Sequence, residues 1–169
     1  MNIILTGFMG TGKTTVGKLL SKQLSFNYID TDTIIETKTG KTINEIFANP
    51  GEPYFRSMET QTISELTNID NHVISTGGGM VIREQNIRIL RNLGTVINLH
   101  ASPETIFNRI KNNTDRPLLN KPGPMNEIKT LLAEREIFYV KCDLRINTDT
   151  LAPEQITSQI IEFINKYKK

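Results

Sequence analysis

Short apolar runs alternate with longer amphipathic segments along nearly the whole chain. Five runs have the length and composition of buried strands, at residues 2–6, 26–29, 72–75, 95–99 and 144–146. Between them, apolar residues recur every three or four positions, which is the spacing of a helix that buries one face. Such alternation favours a parallel sheet covered by helices on both sides. We therefore expect an α/β fold, a three-layer αβα sandwich around a five-stranded parallel sheet.

Helices are predicted over most of the remaining chain. The first predicted helix carries Val16, Leu20 and Leu24 on one face. Another is marked at its start by Ser102, a capping residue, followed by Pro103. The helices predicted after the first, including the one that Ser102 caps, cover about residues 33–39, 43–47, 53–66, 83–92, 103–111, 126–139 and 153–167.

Residues 112–125 break this pattern. Three prolines, with asparagine, lysine and glycine, surround Arg116 and leave no helical or strand periodicity. Long irregular loops inside compact domains are often lids over a ligand. We expect residues 1–169 to form a single domain with a mobile lid at about 112–125 and substrate-binding helices at about 33–60.

The first strand runs directly into a phosphate-binding loop. Residues 7–14, Gly-Phe-Met-Gly-Thr-Gly-Lys-Thr, fit the pattern G-x-x-x-x-G-K-[ST]. Its glycines let successive backbone N–H groups surround a polyphosphate, and the following helix adds the positive end of its dipole. Lys13 supplies a mobile charge for the β- and γ-phosphates, and the Thr14 hydroxyl is a suitable magnesium ligand. A glycine turn that merely closed a strand–helix corner would have no use for this lysine and threonine.

Asp30 and Asp32 follow the second predicted strand, at the edge where open α/β sheets bind ligands. If the backbone stays extended through both residues, their side chains lie on the same face. One carboxylate could then face a metal ion and the other an acceptor hydroxyl, as phosphoryl transfer requires. The ordinary structural alternative is a pair of helix-capping aspartates.

Three successive glycines, Gly77, Gly78 and Gly79, follow the third predicted strand. A glycine run after a strand indicates either an unusually tight turn or another group that approaches the backbone closely.

Four arginines from different segments form a further candidate set: Arg56, Arg109, Arg116 and Arg135. A guanidinium binds a carboxylate or phosphate through two parallel hydrogen bonds, which a lysine cannot do. Any one of them could equally be a solvated surface charge. Glu59 lies one helical turn after Arg56 and could orient its guanidinium.

Composition excludes several other classes of function. The formal charge of +2 is too small to indicate a nucleic-acid or membrane-surface partner, and no apolar run has the length of a membrane span. The phosphate loop begins too close to Met1 to leave room for a signal peptide. A single cysteine, Cys142, cannot form an internal disulfide or a zinc cluster. We expect a cytoplasmic protein.

Taken together, these motifs resemble the shikimate kinase family over nearly the whole chain. Matching segments in the family's order are the phosphate loop, Asp30-Thr31-Asp32, Ile46-Phe47, Gly51-Glu52, Phe55-Arg56, Glu59, Gly77-Gly78-Gly79, Arg116-Pro117-Leu118-Leu119, Glu134-Arg135 and Tyr139. The resemblance implies a P-loop kinase that transfers the γ-phosphate of ATP to the 3-hydroxyl of shikimate, on the route to the aromatic amino acids. It also implies one Mg²⁺ ion bound with ATP, and a monomer.

The resemblance also implies roles for individual residues. Catalytic roles fall to Lys13, Asp32 and Arg116. The ATP site would comprise Gly10, Thr11, Gly12, Lys13, Thr14, Thr15, Arg109 and Arg116. The shikimate site would comprise Asp32, Arg56, Gly77, Gly78, Gly79 and Arg135. Thr14 would bind the metal directly, and Asp30 would act on it directly or through water.

Two alternative functions compete with this one. Another small-molecule kinase of the same architecture, such as a gluconate or nucleoside monophosphate kinase, would share the phosphate loop, but the triple glycine and Asp32 suit a polyol carboxylate better. A catalytically silent nucleotide-binding module would be expected to lack Lys13 or Asp32, and the chain has both.

Overall fold

Five parallel strands form one sheet, in the order β2-β3-β1-β4-β5. The strands are β1 (Asn2–Thr6), β2 (Asn27–Asp30), β3 (His72–Ser75), β4 (Gly94–His100) and β5 (Leu144–Asn147). This computed structural model describes residues 1–111 and 123–167. Every predicted strand is confirmed, and the parallel pairing places all five carboxyl ends at one edge.

Eight helices surround the sheet in the described ranges. They are α1 (Lys13–Leu24), α2 (Thr31–Thr39), α3 (Ile43–Ala48), α4 (Glu52–Glu65), α5 (Glu84–Leu93), α6 (Pro103–Ile110), α7 (Pro124–Tyr139) and α8 (Pro153–Tyr167). Two short 3₁₀ turns cover Leu66–Asn68 and Met80–Ile82. The predicted cap of α6 is confirmed, since the Ser102 side chain accepts a hydrogen bond from the Thr105 N–H at 3.2 Å.

Alternate residues of β1 supply the two cores of the sandwich, as strand geometry requires. Ile3 and Leu5 pack with side chains of α1 and α8 on one face. Ile4 belongs to the core on the opposite face, where α5, α6 and α7 contribute. The predicted three-layer architecture is therefore confirmed.

A third, smaller core lies beside the sheet. It consists of Ile35 from α2, Ile46 from α3 and Phe55 from α4, all buried. This core fixes the three helices to one another, so that residues on α2 and α4 keep a constant relation to the edge where the strands end.

The predicted lid at 112–125 lies outside the described residues, except for 123–125, the last two of which already belong to α7. Arg116 is therefore also outside them. In the part of the chain that is described, no helix combines the length and the apolar character that a membrane crossing requires.

Candidate active site

A cavity of about 1070 Å³ opens at the carboxyl edge of the sheet. Its walls come from the phosphate loop after β1, from Asp30 and Asp32 after β2, from Gly78 after β3, and from α6 and the segment after β5. The cavity therefore gathers residues that are far apart in sequence because parallel strands end at the same edge.

The phosphate loop depends on its glycines for two reasons. Gly7 has φ of 138°, and a Cβ there would lie 2.1 Å from the Leu99 carbonyl oxygen of β4. Gly12 has φ of 95° and precedes α1, so the first N–H groups of that helix open toward the loop. The remaining predicted ATP-site residues in this segment all line the cavity: Gly10, Thr11, Gly12, Lys13, Thr14 and Thr15.

Lys13 lies across its own loop. Its Nζ donates hydrogen bonds to the carbonyl oxygens of Gly7 at 2.8 Å and Phe8 at 2.9 Å. The ammonium group is thus held at the cavity by backbone acceptors. A polyphosphate would offer it charged acceptors, which form stronger hydrogen bonds than neutral carbonyls.

The backbone does not stay extended through Asp30 and Asp32, and the capping alternative holds for Asp30. β2 ends at Asp30, which caps α2: its Oδ1 accepts a hydrogen bond from the Asp32 N–H at 3.1 Å. Asp32 therefore lies in the first helical turn rather than two positions along a strand. Both residues nevertheless line the cavity, so Asp30 combines the capping role with a place in the site.

The glycine run after β3 is required by close packing of functional side chains. A Cβ on Gly77 would lie 2.5 Å from Asp32 Oδ1 and 3.1 Å from Glu59 Oε1. A Cβ on Gly79 would lie 2.2 Å from Arg56 Nη1. Two carboxylates and one guanidinium thus approach this backbone segment, as the sequence predicted in general terms.

Arg56 is held rigidly on α4. Its guanidinium donates to Glu59 Oε2 at 2.8 Å and to Glu52 Oε1 at 2.8 Å, and it lies over the rings of Phe47 and Phe55. The predicted orienting contact with Glu59 is confirmed. Fixed in this way, Arg56 can present its remaining N–H groups to an anion with little loss of side-chain entropy.

Glu59 is a buried carboxyl whose side chain is fully shielded from solvent. Burial raises its pKa to about 7; the charge of Arg56 opposes this shift, and the charge of Asp32 adds to it. Its Oε1 has no hydrogen-bond partner among the described residues.

Arg135 lies on α7 with its guanidinium 5.4 Å above the Phe8 ring of the phosphate loop. Burial raises the pKa of Tyr139 to about 12, and the charges of Arg135 and Arg56 oppose that rise. Neither arginine belongs to the walls of the cavity, and their action as a pair on one anion stays a prediction.

Arg109 also lines the cavity, where it contacts both the phosphate loop and the segment after β5. It donates to Gly10 O at 3.2 Å and to Thr148 Oγ1 at 3.0 Å and O at 2.5 Å. Thr148, which the sequence analysis did not single out, is buried, and its hydroxyl lies 3.2 Å from Thr11 O. Its position directly after a strand was the available signal.

The oxygen donors at the loop fit a magnesium ion. Within residues 1–111 and 123–167, no three histidine, cysteine or acidic side chains cluster as a metal site. The Thr14 hydroxyl and the Asp30 carboxylate both line the cavity beside the phosphate loop. Mg²⁺ commonly takes only one or two protein oxygens and completes its octahedron with phosphates and water.

Comparisons with known proteins agree on one family. The family model described as shikimate kinase matches residues 9–165. A shikimate kinase of Thermodesulfovibrio yellowstonii is 46% identical over 161 residues, covering 95% of this chain and 93% of its own. One from Geobacter metallireducens is 44% identical, covering 96% of this chain and 91% of its own. The solved shikimate kinase of Acinetobacter baumannii in complex with shikimate is 36% identical, with a TM-score of 0.94, covering 99% of this chain and 94% of its own.

Thr148→Val should weaken ATP binding, because Arg109 and the Thr11 carbonyl lose a buried hydroxyl partner. A lost hydrogen bond of this kind costs about 1 kcal/mol, or roughly fivefold in the dissociation constant. Calorimetric titration with MgATP measures it. Thr157→Val, which removes a buried hydroxyl that bonds within α8, is the matched control; equal ATP affinities in both variants would contradict the assignment.

Glu59→Gln should change how stability depends on pH. Because the pKa of Glu59 is higher in the folded chain than in the unfolded chain, its stabilising contribution is complete at low pH and is lost as pH rises toward about 7. The variant cannot ionise there, so its free energy of unfolding relative to wild type should rise by up to about 3 kcal/mol from about pH 5 to pH 8.

Urea denaturation across that pH range tests this expectation. Glu162→Gln changes an exposed glutamate on α8 and serves as the control. If the difference in unfolding free energy between Glu59→Gln and wild type stays constant with pH, the carboxyl does not titrate as described.

Proposed function

The chain belongs to the shikimate kinase family, and from that premise we infer how its own residues carry out the reaction. It is an ATP-dependent kinase that transfers the γ-phosphate of ATP to the 3-hydroxyl of shikimate, giving shikimate 3-phosphate and ADP. One observation carries the division of roles below: a single cavity joins the phosphate loop to Asp32 and Gly78.

ATP occupies the side of the cavity formed by the phosphate loop. Backbone N–H groups at Gly10, Thr11 and Gly12, together with the start of α1, surround its phosphates. Lys13 exchanges its two carbonyl acceptors for phosphate oxygens. Arg109 lies at the adenosine end of this site, where Thr148 holds its guanidinium against the loop.

Thr14 and Asp30 hold the magnesium ion, with Asp30 acting directly or through water. When bound, the ion neutralises charge on the phosphates during transfer. Asp30 is fixed for this task because both of its oxygens already accept protein hydrogen bonds, from the Asp32 N–H and the Tyr28 hydroxyl.

Shikimate lies between α2, α4 and the glycine loop, residues 77–79. Asp32 accepts a hydrogen bond from the 3-hydroxyl, orients its oxygen toward the γ-phosphorus and takes up the proton as the new O–P bond forms. The bond between the γ-phosphorus and the oxygen of ADP breaks in the same transfer. Most of the catalytic effect then comes from positioning and charge neutralisation.

Arg56 and Arg135 bind the shikimate carboxylate. Arg56 lies beside Gly79 of the glycine loop and Arg135 lies over Phe8 of the phosphate loop, which supports this role because a guanidinium held in place can bind a carboxylate through two hydrogen bonds. Gly77, Gly78 and Gly79 let the substrate approach the backbone. Arg116 is proposed to close on the ATP phosphates from the lid, which would exclude water.

We further propose a single-domain, monomeric, cytoplasmic enzyme with neither nucleic acid nor membrane as partner. All of the groups assigned above come from one chain, so no second copy is needed to complete the site. ATP as a substrate and a free thiol at Cys142 fit a reducing, ATP-rich compartment. Light scattering of the purified protein tests the monomer.

Shikimate should be the acceptor that strongly stimulates magnesium-dependent release of ADP from ATP. Gluconate, AMP and a reaction without acceptor are the controls, and removal of magnesium with a chelator should abolish turnover. Stimulation by AMP or gluconate instead would overturn the proposed acceptor. ATP binding without turnover on any acceptor would favour the catalytically silent nucleotide-binding module.

Lys13→Ala and Arg135→Ala should separate the two substrates. Lys13→Ala removes the charge that meets the β- and γ-phosphates and should lower kcat by at least about 100-fold. Arg135→Ala should chiefly raise the KM for shikimate, by about 10-fold or more, since a charged hydrogen bond is worth about 1.5–3 kcal/mol. Steady-state kinetics with each substrate varied measures both, and identical effects of the two variants would refute the division.

A further inference from the structure

We propose that Tyr139 is a positioning residue of the acceptor site: its single buried hydroxyl fastens the end of α7, which carries Arg135, to the glycine loop and thereby sets the distance between Arg135 and that loop. The inference rests on the proposed function, which places the shikimate carboxylate at Arg135 and its ring beside Gly78. Tyr139 itself touches neither substrate in this scheme.

The first observation is a hydrogen bond between distant parts of the chain. Tyr139 is the last residue of α7 and only 4% exposed, and its hydroxyl donates to the Gly78 carbonyl oxygen at 2.6 Å across 61 residues of sequence. Gly78 is the member of the glycine run that lines the cavity. The bond therefore fixes the part of the loop that faces the ligand.

The second observation is that Arg135 lies on the same helix, one turn before Tyr139. Tyr139 therefore fixes the end of α7 that carries this arginine, because its phenolic proton goes to the Gly78 carbonyl. Burial raises the pKa of Tyr139 to about 12, so the hydroxyl remains a donor at every pH at which the protein functions.

Peptide geometry extends the effect to the next residue. In a trans peptide the C=O of Gly78 and the N–H of Gly79 point in opposite directions within one plane. Holding that carbonyl toward Tyr139 fixes the direction of the Gly79 N–H. Gly79 is also the residue that packs against the Arg56 guanidinium, where a Cβ would lie 2.2 Å from Nη1.

The glycine loop lies close to the phosphate loop on its other side. A Cβ on Gly78 would lie 3.4 Å from the Met9 N and 3.6 Å from the Gly7 O of the phosphate loop. Arg135, in turn, lies over Phe8 of that loop. α7, the glycine loop and the phosphate loop are therefore all in contact with one another, and the hydroxyl of Tyr139 makes the contact between α7 and the glycine loop. These contacts hold both carboxylate-binding arginines at a fixed distance from the transferable phosphate.

Tyr139→Phe tests the proposal because it keeps the ring and removes only the hydroxyl. The KM for shikimate should rise by about 10-fold, since the Gly78 carbonyl loses its partner and the end of α7 that carries Arg135 is no longer fastened to the glycine loop. The KM for ATP should change by less than about twofold, because Lys13, Thr148 and Arg109 are untouched. Calorimetric titration with shikimate should show the same loss of affinity.

Ser21→Ala is the matched control. Ser21 is a buried α1 residue whose hydroxyl also donates to a backbone carbonyl, that of Lys18 at 3.0 Å. Its removal should lower Tm without raising the KM for shikimate. If Tyr139→Phe only lowers Tm, or if it raises both KM values equally, Tyr139 is a structural residue and the proposal is overturned.

A double-mutant cycle with Arg135→Lys then tests whether Arg135 and Tyr139 act through the same link between α7 and the glycine loop. The two substitutions should raise the KM for shikimate by less than the product of their separate effects, since each disrupts the same link. If the effects of the two substitutions on the KM for shikimate simply multiply, the two residues do not act through the same link and the proposal is overturned. Failure of the proposed function is distinguishable, because in that case wild type itself would not respond to shikimate.

Discussion

The central place of β1 in the parallel sheet is the constraint on which the rest of the site depends. β1 pairs with β3 on one side and β4 on the other, and all five of its residues are buried. Its loop is therefore confined between the ends of two neighbours: Gly7 abuts the Leu99 carbonyl, and Gly78 packs against Met9. Phosphate binding and acceptor binding share one edge because of this pairing.

Charged side chains approach the backbone closely at that edge of the sheet, which is why glycines and charged residues occur together there. Gly77 and Gly79 leave room for Asp32, Glu59 and Arg56 to pack directly against the backbone, where a Cβ would displace these side chains. The buried pair of Arg56 and Glu59 is weak evidence for stability, because taking both charges out of water costs as much as their attraction returns. Its value lies in presenting a guanidinium with a fixed orientation.

Local patterns in the sequence were sufficient for the fold and for much of the site. Strands, helices and the phosphate loop follow from periodicity and from glycine, which act over a few residues. Asp30 and Asp32 do not share a strand face, because the residue that ends β2 also caps α2, an alternative that the sequence left open. The contacts of Thr148 with Thr11 and of Tyr139 with Gly78 span 137 and 61 residues, so no local pattern predicts either partner, although the family resemblance includes Tyr139.

Asp30 caps α2, and the same hydrogen bonds hold its carboxylate in place for its proposed role at the magnesium ion. Its two oxygens accept hydrogen bonds from the Asp32 N–H at 3.1 Å and the Tyr28 hydroxyl at 3.2 Å, so the carboxylate cannot rotate freely. If magnesium binds beside the phosphate loop as proposed, a carboxylate fixed in this way would hold it, directly or through water, with little further loss of side-chain freedom. The same capping bond places Asp32 at the start of α2, so that one local interaction sets the positions of both carboxylates.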